Sequence, residues 1–432
     1  MSSSILEANY PLSFRKRDAT FLGTYLKNRH SVVLIGMKRV GISNFLRFFL
    51  SHKQVSNEYI NDGKSHLFIP VDLNDLVERE VFPFWVLTLK RIVDAVNNSG
   101  LSLNVKKHTE MLFLDSIQSQ DLFLTIDAIR KSLLELIKQN VFPTIFYLRF
   151  DRMKDAITPE LFDNLQGLID AANRNLSYVF TSDRNLDSLS PEVFTKASVA
   201  VFAQNLYIKP ADKQDAEIIF SSASASYKLS IPESLKKDLF SIIDGYNQYL
   251  QYSLIFLHER KIFPKTRQAL FDNLIDDERI VLQSEELWES LSNIEQKTLL
   301  KIAEGENPIT EERKDAEYLW ATGILNSNGE VFSPLFEHFI HEKKKQKTTN
   351  KSRTEFSKKE NSLLQILISK QNEICEREEI IEAVWPEVEA LGVSDWAIDR
   401  LVARLRAKLK TQKSSYEIIT VKTRGYKLIT TH

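Results

Sequence analysis

Asp395–Leu409, DWAIDRLVARLRAKL, followed by Glu417–Thr430, EIITVKTRGYKLIT, decides the reading of the C-terminal fold. In the first stretch Ile398, Leu401, Val402, Leu405 and Leu409 recur at three- and four-residue spacing, which makes one apolar face of a helix. Ser394 stands where an N-cap hydroxyl would accept from the first-turn amides. The remaining faces carry Trp396, Arg400, Arg404, Arg406 and Lys408. Trp396, Arg400 and Arg404 are four apart and so line one ridge, as a helix lying in a major groove would present its side chains. The second stretch alternates as a hairpin whose tip is Thr423, Arg424 and Gly425, the glycine allowing the tight turn.

Upstream, Phe356–Pro386 supplies two more helices, Lys358–Ser369 and Glu376–Val384. Their apolar faces are Leu363, Leu364, Ile366, Leu367, Ile380, Ile381 and Val384, and Trp385-Pro386 ends the second. The three helices and hairpin resemble the winged helix of OmpR-type response regulators. The residues that carry the likeness are Val402-Ala403-Arg404-Leu405-Arg406-Ala407-Lys408-Leu409 at the helix end and Thr420–Tyr426 in the wing. The wing departs from that pattern by placing Lys422 and Thr423 where Arg-Gly is usual. The resemblance implies double-stranded DNA as partner, with base contacts on the ridge and phosphate contacts at Thr423 and Arg424. Each residue also has a plainer reading. Arg400 and Arg404 fit a solvated face, Arg406 and Lys408 a structural or phosphate-contacting role, and Trp396 partial burial.

Near the other end, Ser31–Ile35 (SVVLI) reads as a buried strand running into Gly36-Met37-Lys38-Arg39-Val40-Gly41-Ile42-Ser43 and a helix. This is the context and nearly the pattern of a phosphate-binding loop, G-x-x-x-x-G-K-[ST], in which backbone amides wrap a phosphate at a helix N-terminus. Both glycines and the serine are present, but Ile42 occupies the lysine position and cannot neutralise phosphate charge. Lys38 and Arg39 lie in the loop and offer an alternative charge. The strand that should end in an acidic pair reads Leu148-Arg149-Phe150-Asp151-Arg152, so Asp151 is the one candidate carboxylate and no glutamate follows it.

Further short apolar or β-branched runs at His66–Val71, Thr144–Phe150, Leu176–Thr181 and Leu206–Ile208 alternate with helical stretches such as Pro83–Val96. That alternation predicts a parallel sheet covered on both faces. With the loop, it resembles the STAND/AAA-like P-loop ATPases. Weaker likenesses lie in Ser13–Leu26 before the first strand, Thr181–Arg184 at a sensor position, and Gly245-Tyr246-Asn247 in place of a lid motif. The resemblance implies an α/β P-loop NTPase-like parallel sheet domain, a helical lid, a winged helix and then the C-terminal OmpR-like winged helix-turn-helix. The expected boundaries are 1–210, 211–283, 284–341, a basic linker at 342–354, and 355–432. Asn326–Gly329 is the expected turn of the first winged helix, and the linker has an auxiliary phosphate-contacting arm as its alternative reading.

Composition agrees with an ordinary globular chain: 432 residues, 43% hydrophobic and 27% charged, with 12 Gly and 12 Pro. The net charge of −1 hides a split. From Lys343 onward there are about 19 Lys and Arg against about 12 Asp and Glu, the asymmetry of a local nucleic-acid contact. One cysteine, Cys375, excludes an intrachain disulfide, and the eight histidines show no metal-ligand spacing. There is no signal-peptide core and no apolar run of about 18 residues, so a cytoplasmic location is expected. The expected function is a bacterial DNA-binding transcriptional regulator with an inactive nucleotide module and no bound cofactor, weak ATP or ADP binding being left open. A homo-oligomer or signalling partner is also left open. Two other readings stand beside it: an active STAND-type signalling or defence ATPase, and a non-catalytic protein–protein adaptor.

Overall fold

The computed structural model describes residues 5–195, 199, 201–260, 263–306, 308–348, 356, 358–386, 393, 395–412, 414–421 and 424–430, with backbone alone at 346–348, 395, 396, 407 and 411. Ser394, Lys422, Thr423, the Trp396 side chain and residues 349–354 of the expected linker therefore lie outside it. The chain divides into two compact units, residues 1–226, 244–247 and 318–325 in one, and 227–243, 248–317 and 326–432 in the other.

The first unit is built on a five-stranded parallel sheet in the order β2-β3-β4-β1-β5. The strands are β1 (Ser31–Ile35), β2 (Ser65–Asp72), β3 (Val141–Leu148), β4 (Ser177–Ser182) and β5 (Ala203–Tyr207). β1 and β4 are buried at every position, as strands flanked by neighbours and covered on both faces must be. The helices α1 (Lys16–Lys27), α2 (Ile42–Ser51), α3 (Val81–Asn97), α4 (Leu103–Ser119), α5 (Leu122–Lys138), α6 (Pro159–Ala171) and α7 (Lys213–Ser226) belong to this unit. The expected strand at Thr144–Phe150 begins earlier and ends sooner. Pro143 is accommodated inside β3, and the chain leaves the sheet at Arg149, whose φ is 60°.

The second unit contains α8 (Glu233–Ile243), most of α9 (Asn247–Arg260), then α10 (Arg267–Ile275), α11 (Glu278–Glu289), α12 (Asn293–Ile302) and α13 (Pro334–Thr348). The segments expected as lid and first winged helix touch each other within this unit. Tyr249 and Ser284 share a hydroxyl hydrogen bond of 2.6 Å, and the Ser333 hydroxyl donates to the Ile242 carbonyl at 2.7 Å. Tyr318–Leu325 instead joins the sheet unit, where Arg184 stacks on the Tyr318 ring at 3.9 Å. The Asn326–Gly329 turn is present, closed by the Asn326 amide on the Glu330 carbonyl at 2.9 Å. Residues 342–348 of the expected linker are helical, because α13 continues to Thr348 through a run of good helix formers.

The C-terminal domain lies within this unit. Its helices are α14 (Lys358–Ser369), α15 (Arg377–Val384) and α16 (Asp395–Thr411). Its antiparallel sheet is ordered β6-β8-β7, from β6 (Ile374–Glu376), β7 (Tyr416–Val421) and β8 (Gly425–Thr430). Leu363, Leu367, Ile380, Ile398, Leu401, Val402, Leu405, Leu409, Ile418 and Leu428 form the core, and the stripe expected on α16 is buried throughout. Gly425 has φ 153°, and a Cβ there would lie 2.1 Å from the Cys375 carbonyl oxygen, so β6 and β8 can pair only over a glycine. Cys375 is fully buried, and burial pushes its thiol up to about 11, which makes it an inert core residue.

Candidate nucleic-acid interface and a phosphate-loop-like turn

The phosphate-loop backbone is formed. β1 passes into residues 36–41 and α2 begins at Ile42. Gly36 has no room for a side chain, since a Cβ would lie 2.9 Å from the Ile208 carbonyl oxygen, and Gly41 is in the left-handed region at φ 112°. The Ile42 side chain folds back towards Gly36, its Cδ1 at 3.2 Å from the position a Cβ would take there. Ser43 is exposed at the helix start.

The charged groups around this loop are engaged with one another. Lys38 Nζ pairs with the Asp183 carboxylate at 2.9 Å, and the Tyr246 hydroxyl donates to the Lys38 carbonyl at 2.5 Å. Asp151 lies in the turn after β3. Burial raises its carboxyl above the usual range, the Asp183 charge adds to this, and the Lys38 charge opposes it. At the end of β3 the Arg149 guanidinium pairs with the Asp72 carboxylate at the end of β2, while the Arg149 amide donates to Thr181 Oγ1 at 2.6 Å. A cavity of about 190 Å³ is lined here by Ile42, Ser43, Arg149, Asp72 and Thr181.

Sequence reasoning missed Arg15. It is 4% exposed, its amide donates to Asp215 at 2.7 Å, and its guanidinium donates to the Lys209 carbonyl at 2.7 Å and pairs with Asp18 at 3.3 Å. Its Nη2 would lie 3.7 Å from a Cβ at Gly41, so a buried cation stands beside the loop from the side of α1. Burial pushes the Asp215 carboxyl up to about 6, with Arg15 opposing. Arg15 sits in a short basic run, Arg15-Lys16-Arg17, which ordinarily reads as solvated; only its place just before α1 marks it out.

On the C-terminal domain the structure separates the basic residues of α16 by role. Arg406 ties α16 to β7: its Nε donates to the Ile418 carbonyl at 2.8 Å and its Nη2 to Thr420 at 2.9 Å. Lys408 pairs at 2.6 Å with Glu360 of α14, whose side chain is 4% exposed. Arg424 is the open one, 61% exposed at the wing with Glu376 at 3.7 Å. Arg400 and Arg404 correct the expectation of a free ridge. Arg400 pairs with Glu289, and Arg404 lies 3.2 Å from Glu285, both carboxylates on α11. The cause is an acidic stripe, Glu278, Glu285 and Glu289, that the sequence places on one face of α11 at seven- and four-residue spacing. A further group not foreseen is Asp399, which accepts from Arg377 at 2.7 Å and from the Tyr426 hydroxyl and so joins α15, α16 and β8.

Among the described residues no group of three or more His, Cys, Asp or Glu could hold a metal ion, and no helix is long and apolar enough to cross a membrane.

Residues 351–428 match the family described as "Transcriptional regulatory protein, C terminal". No curated protein matches the chain. Among solved structures, a Walker-type ATPase of Pyrococcus abyssi is 15% identical, covering 78% of this chain and 99% of its own, with a TM-score of 0.47. The ORC2 protein of Aeropyrum pernix in ADPNP–ADP complexes is 14% identical, covering 80% and 98%, with a TM-score of 0.44. The ORC1 protein of Aeropyrum pernix in complex with DNA is 13% identical, covering 99% and 92%, with a TM-score of 0.37. The chain thus carries, at residues 351–428, a domain of the transcriptional-regulatory C-terminal type, together with a P-loop-like parallel α/β unit.

Proposed function

We propose that the protein is a transcriptional regulator that binds double-stranded DNA through α16 and the wing, and that its P-loop-like unit no longer turns over nucleotide. The observation that carries the first part is the C-terminal domain itself. A helix with a buried apolar stripe presents Arg400 and Arg404 on another face, and a wing holds Arg424 in solvent. A guanidinium can pair with guanine in bidentate fashion or neutralise a phosphate. Genome-wide occupancy of the tagged chain is the test, because discrete sites support the reading and uniform background refutes it.

The second part is supported by chemistry absent from the loop. Ile42 brings no charge to a phosphate, and the strand end that would orient Mg²⁺ and water carries Arg149 bound to Asp72. Arg15 adds a second, buried cation whose Nη1 is already engaged by Asp18 and the Lys209 carbonyl. In this reading the unit serves as a scaffold or sensor, and the Gly36–Ser43 turn is kept for its geometry.

One observation favours a second reading, an adaptor that does not use DNA. Arg400, Arg404 and Lys408 each already face a carboxylate of the same chain. The occupancy measurement separates the two.

A further inference from the structure

α11 is acidic along the line that faces the C-terminal domain. Glu278, Leu282, Glu285 and Glu289 follow a four-three-four spacing and so share one side of the helix. Each meets a complementary group. Glu278 pairs with Lys359 of α14, Leu282 packs on the C-terminal core, Glu285 lies 3.2 Å from Arg404, and Glu289 pairs with Arg400. Lys343 of α13 also approaches Glu285, at 3.6 Å. We infer that α11 is a built-in mask for the DNA-reading helix, its carboxylates standing where DNA phosphates or guanine acceptors would otherwise meet Arg400 and Arg404. The inference rests on the DNA-binding role proposed above and adds how that role is held off.

The contact has the properties of one that opens. It is dominated by ion pairs, and Leu282 is the one apolar side chain of α11 packed on that core among the described residues. A cavity of about 340 Å³ lies beside the Glu285–Arg404 pair, walled by Ile280, Leu335 and Phe339. The Nε atoms of Arg400 and Arg404 are buried without a hydrogen-bond partner, so the mask satisfies only the outer ends of both guanidinium groups. Burial raises the Glu289 carboxyl while Arg400 opposes this, so that carboxylate is not fully compensated in the closed arrangement. DNA, by contrast, offers each arginine several acceptors at once. The masked and DNA-bound arrangements are mutually exclusive, because one guanidinium face cannot serve both. The apparent DNA affinity is therefore reduced by the fraction of molecules that are open.

The test uses the full chain and a fluorescent duplex from an occupied site, or mixed-sequence duplex if none is found, titrated at low salt. Four proteins are compared with the unaltered chain: Glu285→Gln/Glu289→Gln, the same pair with Arg404→Ala, Glu289→Gln alone, and a control, Glu233→Gln/Glu311→Gln, which removes the same charge as the pair from carboxylates that touch neither arginine. Opening the mask should tighten binding by about tenfold or more. The control should stay within about twofold, and adding Arg404→Ala should remove the gain. Glu289→Gln alone, at a more exposed position, should give a smaller shift in the same direction and covers the case in which the double variant fails to fold. If unaltered chain and double variant bind with equal affinity, or the control gains as much, the mask is refuted while the DNA-binding role stands. If none of them binds at low salt, the DNA-binding role falls and the mask with it.

Discussion

Leu405→Ala probes whether α16 is held by its apolar stripe. Leu405 is 0% exposed and belongs to the cluster formed with Leu401, Val402, Leu409, Ile418 and Leu428. Truncation removes three carbons, about 2.4 kcal/mol at roughly 0.8 kcal/mol per buried methylene. The void left behind adds a cavity contribution, giving about 2–5 kcal/mol in all. A domain of this size has a total stability of about 4–12 kcal/mol, so the change removes a large share of it. Hydrogen exchange followed by mass spectrometry reads this locally, without assuming that the whole chain unfolds in one step. Peptides within 395–412 should lose protection by about 30- to 4000-fold, at about tenfold per 1.4 kcal/mol. Peptides covering β1 and β4 of the parallel sheet should not change. A loss under about 0.5 kcal/mol, the range of surface substitutions, would refute the assignment of Leu405 to the core.

Other outcomes follow from the same geometry. Arg400→Ala, measured in the Glu285→Gln/Glu289→Gln background, should cost about 1–3 kcal/mol in binding and relax preference at one base position; an equal loss on every sequence would assign Arg400 to phosphate. Arg424→Ala at the exposed wing should weaken all duplexes alike and lower the salt slope by about one unit. The purified chain should release no phosphate from ATP above background, and Ile42→Lys should not restore turnover, because Arg149 still occupies Asp72; Mg²⁺-dependent turnover by the unaltered chain would contradict this. Asp215 gives a pH signature. Its carboxyl is raised to about 6 by burial, so between its ordinary value and about 6 the folded chain holds a proton that the unfolded chain has lost. Stability should fall as pH rises through about 6, and that component should vanish in Asp215→Asn, read as the melting temperature against pH.

The C-terminal domain was legible because its signal is local. The α16 stripe repeats at helical spacing, and Gly425 stands where β6 crosses too closely for any side chain. The parallel sheet was legible as alternation, but strand ends were not, since Pro143 reads as a break and is tolerated within β3. The hairpin of α4 and α5 went unread although its periodicity is helical, with buried Ser116 and Thr125 hydroxyls 2.7 Å apart in place of an apolar contact. Lys343–Thr348 looked like a tether because it lacks apolar residues, yet helix propensity carries α13 through it. The carboxylates facing Arg400 and Arg404 were illegible for a different reason. A glutamate-rich helix face ordinarily means solvent, and only the match between Glu278, Glu285 and Glu289 and a basic partner about 80 to 120 residues away in sequence makes it an interface.

The central claim is that the arginines of α16 and the wing bind duplex DNA. Titrating the full chain against duplex DNA over a range of salt concentrations tests it most directly. The account predicts binding at low salt whose logarithm falls linearly with the logarithm of salt concentration, with a slope reduced by Arg424→Ala. No binding at low salt, or an affinity indifferent to both salt and Arg424, would contradict it.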